Sequence, residues 1–347
     1  AFFLLGTIFI YYQTGTLNID DIIAHRELIT GPIGLIATLF VLTSLLIELK
    51  PYPANGWGLD VYETAPSGIA SLISVGVSAG VLFAVYKLMP LMLDYTASIA
   101  FIGGITFLVS NIIGLKQDNT KRLLGYSSIG QMGLLTLALA LLQQLDASSQ
   151  LALVVGGLFV NHLLAKAGLF WLAGLVDREQ IKDWCAIARR PGLLMLLGIM
   201  LAALIGLPPF PGFWAKWQLV MLLGDGGQYG WIAVILIGSL LEAAYLFRWF
   251  SHARHKIDNS SDETPAEVSV SCWQQLPVAI AAFLLFAIGY GMAMAMDVVS
   301  PAIFLPLAAG FVLWLIDGLH GRLKNLPMLI IVAAGGYWLT NELEGIN

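Results

Sequence analysis

Long apolar runs separated by short polar connections dominate the hydropathy pattern of this chain. The hydrocarbon core of a bilayer is about 30 Å thick and a helix rises about 1.5 Å per residue, so about 20 apolar residues can cross it. The pattern predicts about 11 membrane-spanning helices, of which the first is short. The runs are 1–12, 31–49, 67–90, 92–115, 123–142, 150–176, 192–224, 230–250, 273–296, 301–319 and 327–343.

The run at 192–224 is too long for one straight span and marginal for two. It contains Pro208, Pro209 and Pro211, and proline inside a helix removes backbone hydrogen bonds. A break of this kind at mid-membrane persists only where it is buried in protein or lines a wet cavity. We therefore expect a broken helix at these prolines.

Basic residues distinguish one crossing of this run from two. With one crossing, 13 of the 17 Lys and Arg residues fall on one side, and Arg26 and Lys87 fall on the other. The remaining two, Lys166 and Lys216, lie inside apolar runs. Two crossings would remove the asymmetry, so the positive-inside rule predicts one broken span and cytoplasmic basic loops. The 13 residues are Lys50, Lys116, Lys121, Arg122, Arg178, Lys182, Arg189, Arg190, Arg248, Arg254, Lys256, Arg322 and Lys324.

Composition supports an all-α polytopic membrane protein that contacts the lipid bilayer. Hydrophobic residues make up 58% of the chain and charged residues 11%, and the mean hydropathy is +0.82, which excludes a soluble globule with a polar surface. The net charge of −5 gives no basic patch for nucleic acid. Cys185 and Cys272 have no metal-site spacing. No nucleotide loop, cysteine cluster or haem ligand pair is present in the sequence, so no cofactor is expected in this chain.

Lys166 and Lys216 are the main functional candidates. An ionised lysine in the hydrocarbon core costs about 3 kcal/mol or more, so it is kept mainly where it faces polar groups along an ion path. His162 precedes Lys166 by one helical turn, so the two share a helix face and could pass a proton. Two plainer interpretations stay open. His162 could form a structural hydrogen bond, and Lys216 could reach an interface beside a kink used for packing.

Glu48 and Lys50 lie at the end of the run at 31–49, beside Pro51 and Pro53. The Pro-rich segment predicts that the helix breaks at Pro51 and Pro53, close to the cytoplasmic surface. The two charges could form a hydrated pair at the helix end, or either could belong to the ion path.

Glu242 and Asp317 also interrupt apolar runs. Glu242 is the deeper of the two, and both pairing with a neighbouring helix and a relay role are open for it. Asp317 is close to His320 and Arg322 near a helix end, where solvation is the expected explanation.

Several segments, in order along the chain, resemble the antiporter-like membrane subunits of respiratory complex I, Mrp antiporters and membrane-bound hydrogenases. The N-type subunit of complex I is the most similar, through residues 60–63. The segments are 14–19 (TGTLNI), 60–66 (DVYETAP), 116–133 (KQDNTKRLLGYSSIGQMG), 162–170 (HLLAKAGLF) and 206–216 (GLPPFPGFWAK).

The resemblance covers roughly residues 1–290 and implies that the chain opens inside the family's sixth helix. It makes Lys166 and Lys216 the central and exit lysines of a proton path. The two lysines expected earlier in that path are replaced by Glu48 and Ser78. Either Glu48 acts as a proton site of opposite charge, or Lys50 reaches inward, or this half of the path is closed.

The resemblance implies an antiporter-like core at 1–296, and the two extra spans predicted at 297–347 depart from the family pattern. The expected function is proton translocation through Lys166, Lys216, His162, Glu48, Lys50 and Glu242, within a translocase of the NADH:quinone oxidoreductase type. Its partners would be other membrane subunits, and its location a bacterial or archaeal cytoplasmic membrane. Open alternatives are a structural subunit that does not conduct, a Mrp-like Na⁺/H⁺ antiporter and another ion-coupled complex.

Overall fold

The computed structural model describes residues 1–255, 268 and 270–296, and this part of the chain is helical without β-strands. The predicted spans at 301–319 and 327–343, the domain division after residue 296 and Asp317 lie outside the described residues. The helices are α1 (Phe2–Thr14), α2 (Ile19–Ala24), α3 (Gly31–Glu48), α4 (Gly56–Thr64), α5 (Ser67–Leu72), α6 (Ser78–Leu88), α7 (Thr96–Gly114), α8 (Thr120–Gln144), α9 (Gly157–Val176), α10 (Pro191–Ile205), α11 (Pro211–Asp225), α12 (Tyr229–Arg254) and α13 (Cys272–Ala295).

Seven segments within the described part are long and apolar enough to cross a membrane. Five contain a single long α-helix, namely α3, α7, α8, α12 and α13. The other two each contain a π-helical turn, Ile73–Val77 between α5 and α6, and Ala152–Gly156 immediately before α9. These elements confirm the prediction of an all-α polytopic membrane protein.

Helix α8 forms the centre of the bundle, and the whole of its most apolar window is buried inside the protein. Small residues permit this position because they let neighbouring backbones approach closely. A Cβ atom on Gly133 would lie 2.7 Å from the Gly103 carbonyl oxygen of α7 and 2.8 Å from the Phe107 nitrogen. The α7–α8 contact therefore depends on the absence of a side chain at Gly133.

The first helix break lies between α3 and α4. Helix α3 ends at Glu48 and α4 begins at Gly56. Leu49 lines a small cavity with Met132 of α8, whereas Tyr62 of α4 packs on Gly125, nearer the start of α8. The two short helices therefore follow α8 one after the other and together form one broken span.

This geometry corrects the expected position of Lys50. The count of loop charges placed it on the cytoplasmic side, while a hydrated pair with Glu48 and an inward reach were both left open, and the structure shows Lys50 only 1% exposed. The adjacent Tyr52 nitrogen donates a hydrogen bond of 3.1 Å to Thr106 Oγ1, near the middle of α7. Lys50 lies within the protein because the chain continues along α4 beyond Pro51 and Pro53 instead of leaving the bundle.

The second break lies between α10 and α11 and contains Pro208 and Pro209, with Pro211 as the first residue of α11. Both helices pack along α9. Met200 of α10 lies against Gly168, and a Cβ atom on Gly157 would lie 3.1 Å from Ala215 of α11. As the chain proceeds from α10 to α11, its contacts therefore move in one direction along α9. This arrangement confirms the predicted single broken span.

Most of the predicted basic loops within the described residues meet at one end of the bundle. Arg122 pairs with Asp60 at 3.1 Å and with Glu63 at 2.6 Å, and Lys121 Nζ donates to the Ala65 carbonyl at 3.0 Å. Arg26 lines a surface pocket beside Asp94, at the opposite end of α7.

Two further contacts join the connections at the basic end. The connection before α8 meets the one after α9 through Thr120 N, which donates to the Glu179 carbonyl at 2.6 Å. Arg248 at the end of α12 lies 3.6 Å from Asp118. These contacts place the connections before α8, after α9 and at the end of α12 together at one end of the bundle, whereas Lys50 lies in its interior.

Candidate functional site

Buried polar side chains from eight parts of the chain lie in the apolar interior and form what we call the polar axis. They come from the first helix break, the π-helical turn before α6, and helices α4, α6, α8, α9, α11 and α12. All of its members are buried, and they are Lys50, Tyr62, Ser74, Ser78, Ser127, Ser128, Gln131, His162, Lys166, Lys216 and Glu242.

Glu242 interacts electrostatically with both predicted lysines, Lys166 and Lys216. Its Oε1 accepts a hydrogen bond of 2.7 Å from Ser127 Oγ, and its Oε2 accepts one of 2.5 Å from Gln131 Nε2. Ser127 and Gln131 are one turn apart on α8 and so face α12 together. The Ser127 hydroxyl and the Gln131 amide thus hold the buried Glu242 carboxylate, which attracts both lysine ammonium groups.

Lys166 is wholly buried on α9, and its Nζ donates a hydrogen bond of 3.0 Å to the Leu124 carbonyl of α8. Lys216 Nζ donates one of 3.2 Å to the carbonyl of Ile205, the last residue of α10. This contact joins the ammonium group to a carbonyl freed by the helix break. Lys216 turns back into the break, so the alternative in which it reaches an interface is wrong.

His162 is wholly buried, with its Nε2 3.4 Å from the Ser74 carbonyl oxygen. A carbonyl only accepts, so this contact assigns the proton to Nε2 and leaves a lone pair on Nδ1. Nδ1 is buried and has no hydrogen-bond partner among the described residues. One ring nitrogen therefore forms the structural bond considered above, while the other is free to accept a proton.

Lys50 is the charged group at the other end of the axis. Its Nζ donates a hydrogen bond of 3.0 Å to the Glu48 carbonyl oxygen and lies 5.1 Å from the Trp57 ring centroid and 5.9 Å from that of Tyr62. The half-buried Glu48 side chain attracts the ammonium through space. Of the three possibilities for this half of the path, the geometry favours an inward-reaching Lys50.

Hydroxyl groups occupy the space between Lys50 and His162. The Tyr62 hydroxyl interacts with the side chains of Ser128, Ser78 and Ser74. Ser74 Oγ and Ser128 Oγ are 2.6 Å apart. Ser74 therefore contacts Ser128 through its side chain and His162 through its carbonyl group.

Sequence reasoning did not select these hydroxyl residues or Gln131 as functional. A usable signal was present in α8, where Ser127, Ser128 and Gln131 lie in an otherwise apolar, Gly-rich run. Such polar groups require partners when they are buried. Their partners lie on helices far away in the sequence and could not be named without the fold.

The axis contains amines, an imidazole, a carboxylate and hydroxyls, all of which can exchange protons at their nitrogen or oxygen atoms. No group of three or more His, Cys, Asp or Glu residues suited to a metal ion occurs within the described part of the chain.

The comparison with known protein families agrees with this architecture. Residues 1–242 match the family described as "NADH:quinone oxidoreductase/Mrp antiporter, TM". The chain belongs to this family. Its membership confirms the resemblance drawn from the ordered sequence segments.

Two curated relatives are N subunits of NADH-quinone oxidoreductase. The protein from Desulforudis audaxviator is 30% identical over 268 residues, which cover 73% of this chain and 52% of the relative. The second, from Rhizobium meliloti, is 31% identical over 257 residues, which cover 72% of this chain and 53% of the relative. The chain thus spans about half the length of these relatives.

Solved structures share the fold at lower sequence identity. Respiratory complex I from Thermus thermophilus with bound aureothin contains a chain with a TM-score of 0.65 and 24% identity, and the match covers 86% of this chain and 64% of that one. A chain of the Mrp complex from Dietzia has a TM-score of 0.72 and 18% sequence identity, and the match again covers 86% of this chain and 64% of that one. A chain of the archaeal membrane-bound sulfane sulfur reductase has a TM-score of 0.71 and 24% sequence identity, and the match covers 86% of this chain and 61% of that one.

Proposed function

We propose that this chain translocates protons along the polar axis as a membrane subunit of a multi-subunit energy-converting complex. The observation that carries the proposal is the buried group of Lys166, Glu242 and Lys216. Three buried ionisable side chains interact electrostatically there, inside a membrane-spanning bundle.

The energetics of this group favour an ion path over a purely structural role. Burying charged groups costs several kcal/mol per ion, and an apolar replacement of similar volume is often neutral or stabilising. Ionisable groups inside membrane proteins are therefore usually kept for ion movement. Glu242 attracts a proton on either lysine, and moving one proton from Lys166 to Lys216 leaves the net charge of the group unchanged.

Polar contacts on the input side favour conduction over the structural alternative. A subunit that had lost conduction would be expected to have an apolar gap between the first break and Lys166. Instead, Tyr62, Ser74, Ser128 and His162 are buried in this region.

The ligand chemistry of the axis favours protons over sodium. Hard cations such as Na⁺ prefer several oxygen ligands, whereas three of the charged groups on the axis are amines. The Glu242 oxygens already accept hydrogen bonds from Ser127 and Gln131. We therefore place this chain closer to a proton subunit than to a Na⁺/H⁺ exchanger.

The energy source in this proposal lies in other subunits, because the axis residues exchange protons and not electrons. The relatives named as subunits of NADH-quinone oxidoreductase support a complex of that type. We place it in a bacterial or archaeal cytoplasmic membrane, with the basic end of the bundle on the cytoplasmic side.

The first test replaces Lys166 or Lys216 by Met in the intact complex. Met keeps the length of the side chain but cannot hold a proton, so turnover-driven proton translocation should fall by about tenfold or more. Proton uptake is measured in inverted membrane vesicles, with assembly checked by native gel electrophoresis. Lys182→Met, at an exposed position in the short 3₁₀-helix Ile181–Ile187, is the control and should pump normally. Normal pumping by an assembled Lys166→Met complex would disprove the proposal.

A further inference from the structure

We infer that Lys50 is the proton-donating amine of the input half, and that the hydroxyls of Tyr62, Ser128 and Ser74, with a water molecule at each end of the series, connect it to His162. This route replaces the lysines that the family resemblance places at positions 48 and 78. The inference rests on the proposed function and adds a specific path to it.

The backbone at Lys50 directs its side chain inward. Lys50 has φ 61°, in the left-handed region that non-glycine residues seldom adopt. Such a conformation persists only where the surrounding structure enforces it, and it is concentrated at functional sites.

Gly58 of α4 leaves the space that the Lys50 side chain occupies. A Cβ atom at Gly58 would lie only 2.5 Å from Lys50 Cδ. The first turn of α4 is therefore shaped to accommodate this side chain, which a helix-end lysine in solvent would not require.

The ammonium group is held loosely enough to release a proton. The Trp57 and Tyr62 rings lie within the range of cation–π attraction. Among the described residues, the Glu48 carbonyl is the one hydrogen-bond acceptor found for Nζ, although an ammonium has three N–H groups. Two N–H groups therefore remain available for transfer.

The transfer conserves protons and charge. Lys50 Nζ loses one proton and becomes a neutral amine. Each hydroxyl oxygen accepts one proton and releases its own to the next group, so the hydroxyls end unchanged. The last transfer passes from Ser74 Oγ through a water molecule, because Ser74 contacts His162 directly only through its carbonyl, which cannot donate a proton. The water releases one proton to Nδ1 of His162, which has a free lone pair, and the imidazole becomes an imidazolium one helical turn from Lys166.

Ser78 supplies a hydroxyl group to this route, at a position where the family resemblance expects a lysine. It is buried, its Oγ donates to the Ile73 carbonyl at 3.2 Å, and it also interacts with Tyr62. The π-helical turn Ile73–Val77 contains Ser74 and precedes Ser78 directly. This turn thus brings both serines to the Tyr62 hydroxyl.

The test uses Lys50→Met and Tyr62→Phe in the intact complex. Met preserves the length of chain that packs beside Gly58, and Phe removes only the hydroxyl. Each variant should reduce turnover-driven proton translocation by about tenfold or more, because each interrupts the relay. Lys87→Met and Tyr86→Phe are matched controls at exposed positions on α6 and should pump normally.

Lys50→Arg separates proton transfer from a purely electrostatic role. Arginine keeps the charge and the cation–π contacts but stays protonated in proteins, so it should fail like Met. Assembly is verified for every variant, and Tyr62→Phe provides the test if changes at Lys50 prevent assembly.

The outcomes distinguish this inference from the proposed function. Wild-type pumping by Tyr62→Phe or Lys50→Arg, with Lys166→Met inactive, would overturn the inference and leave the proposed function standing. Wild-type pumping by Lys166→Met would overturn the proposed function itself.

Discussion

At the residue scale, Glu242 determines the electrostatics of the two central lysines. Two buried ammonium groups would repel each other, whereas a carboxylate attracts both. Ser127 and Gln131 fix its two oxygens, so the negative charge is held at a defined place. The negative charge of Glu242 should therefore influence the passage of a proton as strongly as either lysine does.

Glu242→Gln tests this charge with little change in shape. The amide can still bond to Ser127 and Gln131, but it no longer attracts a proton to Lys166 or Lys216. Turnover-driven proton translocation should fall by about tenfold or more. Asp225→Asn, an exposed acid at the end of α11, is the control. Equal pumping by the two variants would show that the Glu242 charge is not used.

At the element scale, the two helix breaks use the same arrangement. Lys50 bonds to the carbonyl of Glu48, the last residue of α3, and Lys216 bonds to that of Ile205, the last residue of α10. The C-terminal carbonyls of a helix lack partners within it and bear partial negative charge. Each break thus supplies an electronegative helix end to one ammonium of the polar axis.

Close packing of α7 on α8 supports this arrangement, and Gly133→Ala tests it. The new methyl group would collide with backbone atoms of Gly103 and Phe107, which cannot move independently. Overpacking should cost about 1–3 kcal/mol. The temperature at which the detergent-solubilised complex loses this subunit should therefore fall.

The control is Gly80→Ala, at an exposed position of α6 with open space around the new methyl group. It should be neutral or slightly stabilising, because alanine favours the helix by about 0.5–1 kcal/mol. Equal thermal stability of Gly133→Ala and the unmodified protein would contradict the packing argument.

At the scale of the whole molecule, charge is separated between the two ends of the bundle. The connection before α8 contains Lys116 and belongs to the basic end, and the connection after α8 contains Ser148. Because α8 separates them, they should face opposite sides of the membrane.

Single cysteines test the orientation, with Cys185 and Cys272 first replaced by Ser. Lys116→Cys should react with a membrane-impermeant maleimide in inverted vesicles, and Ser148→Cys should react in right-side-out vesicles. Labelling after membrane solubilisation checks that both sites are reactive. The opposite pattern would reverse the proposed topology.

Several features could be predicted from the sequence because they depend on local composition. Apolar run length predicted the spans, prolines predicted both breaks, and the cost of buried charge selected Lys166 and Lys216. Loop charges further predicted one broken span around Pro208 and Pro209. Each of these inferences needs only residues that are close together in the chain or a count of charges.

Tertiary structure alone decided which side chains meet. Ser127 and Glu242 are 115 positions apart, Ser74 and Ser128 are 54 apart, and hydropathy contains no information about such pairs. Lys50 was misplaced for the same reason, since local sequence shows where a helix stops but not whether the chain then leaves the bundle. The sequence by itself thus determined the membrane spans, their breaks and the costly lysines. Only the packing of α8, α9, α10, α11 and α12 decided the partners of those lysines, because contacts between distant segments depend on the arrangement of the whole bundle.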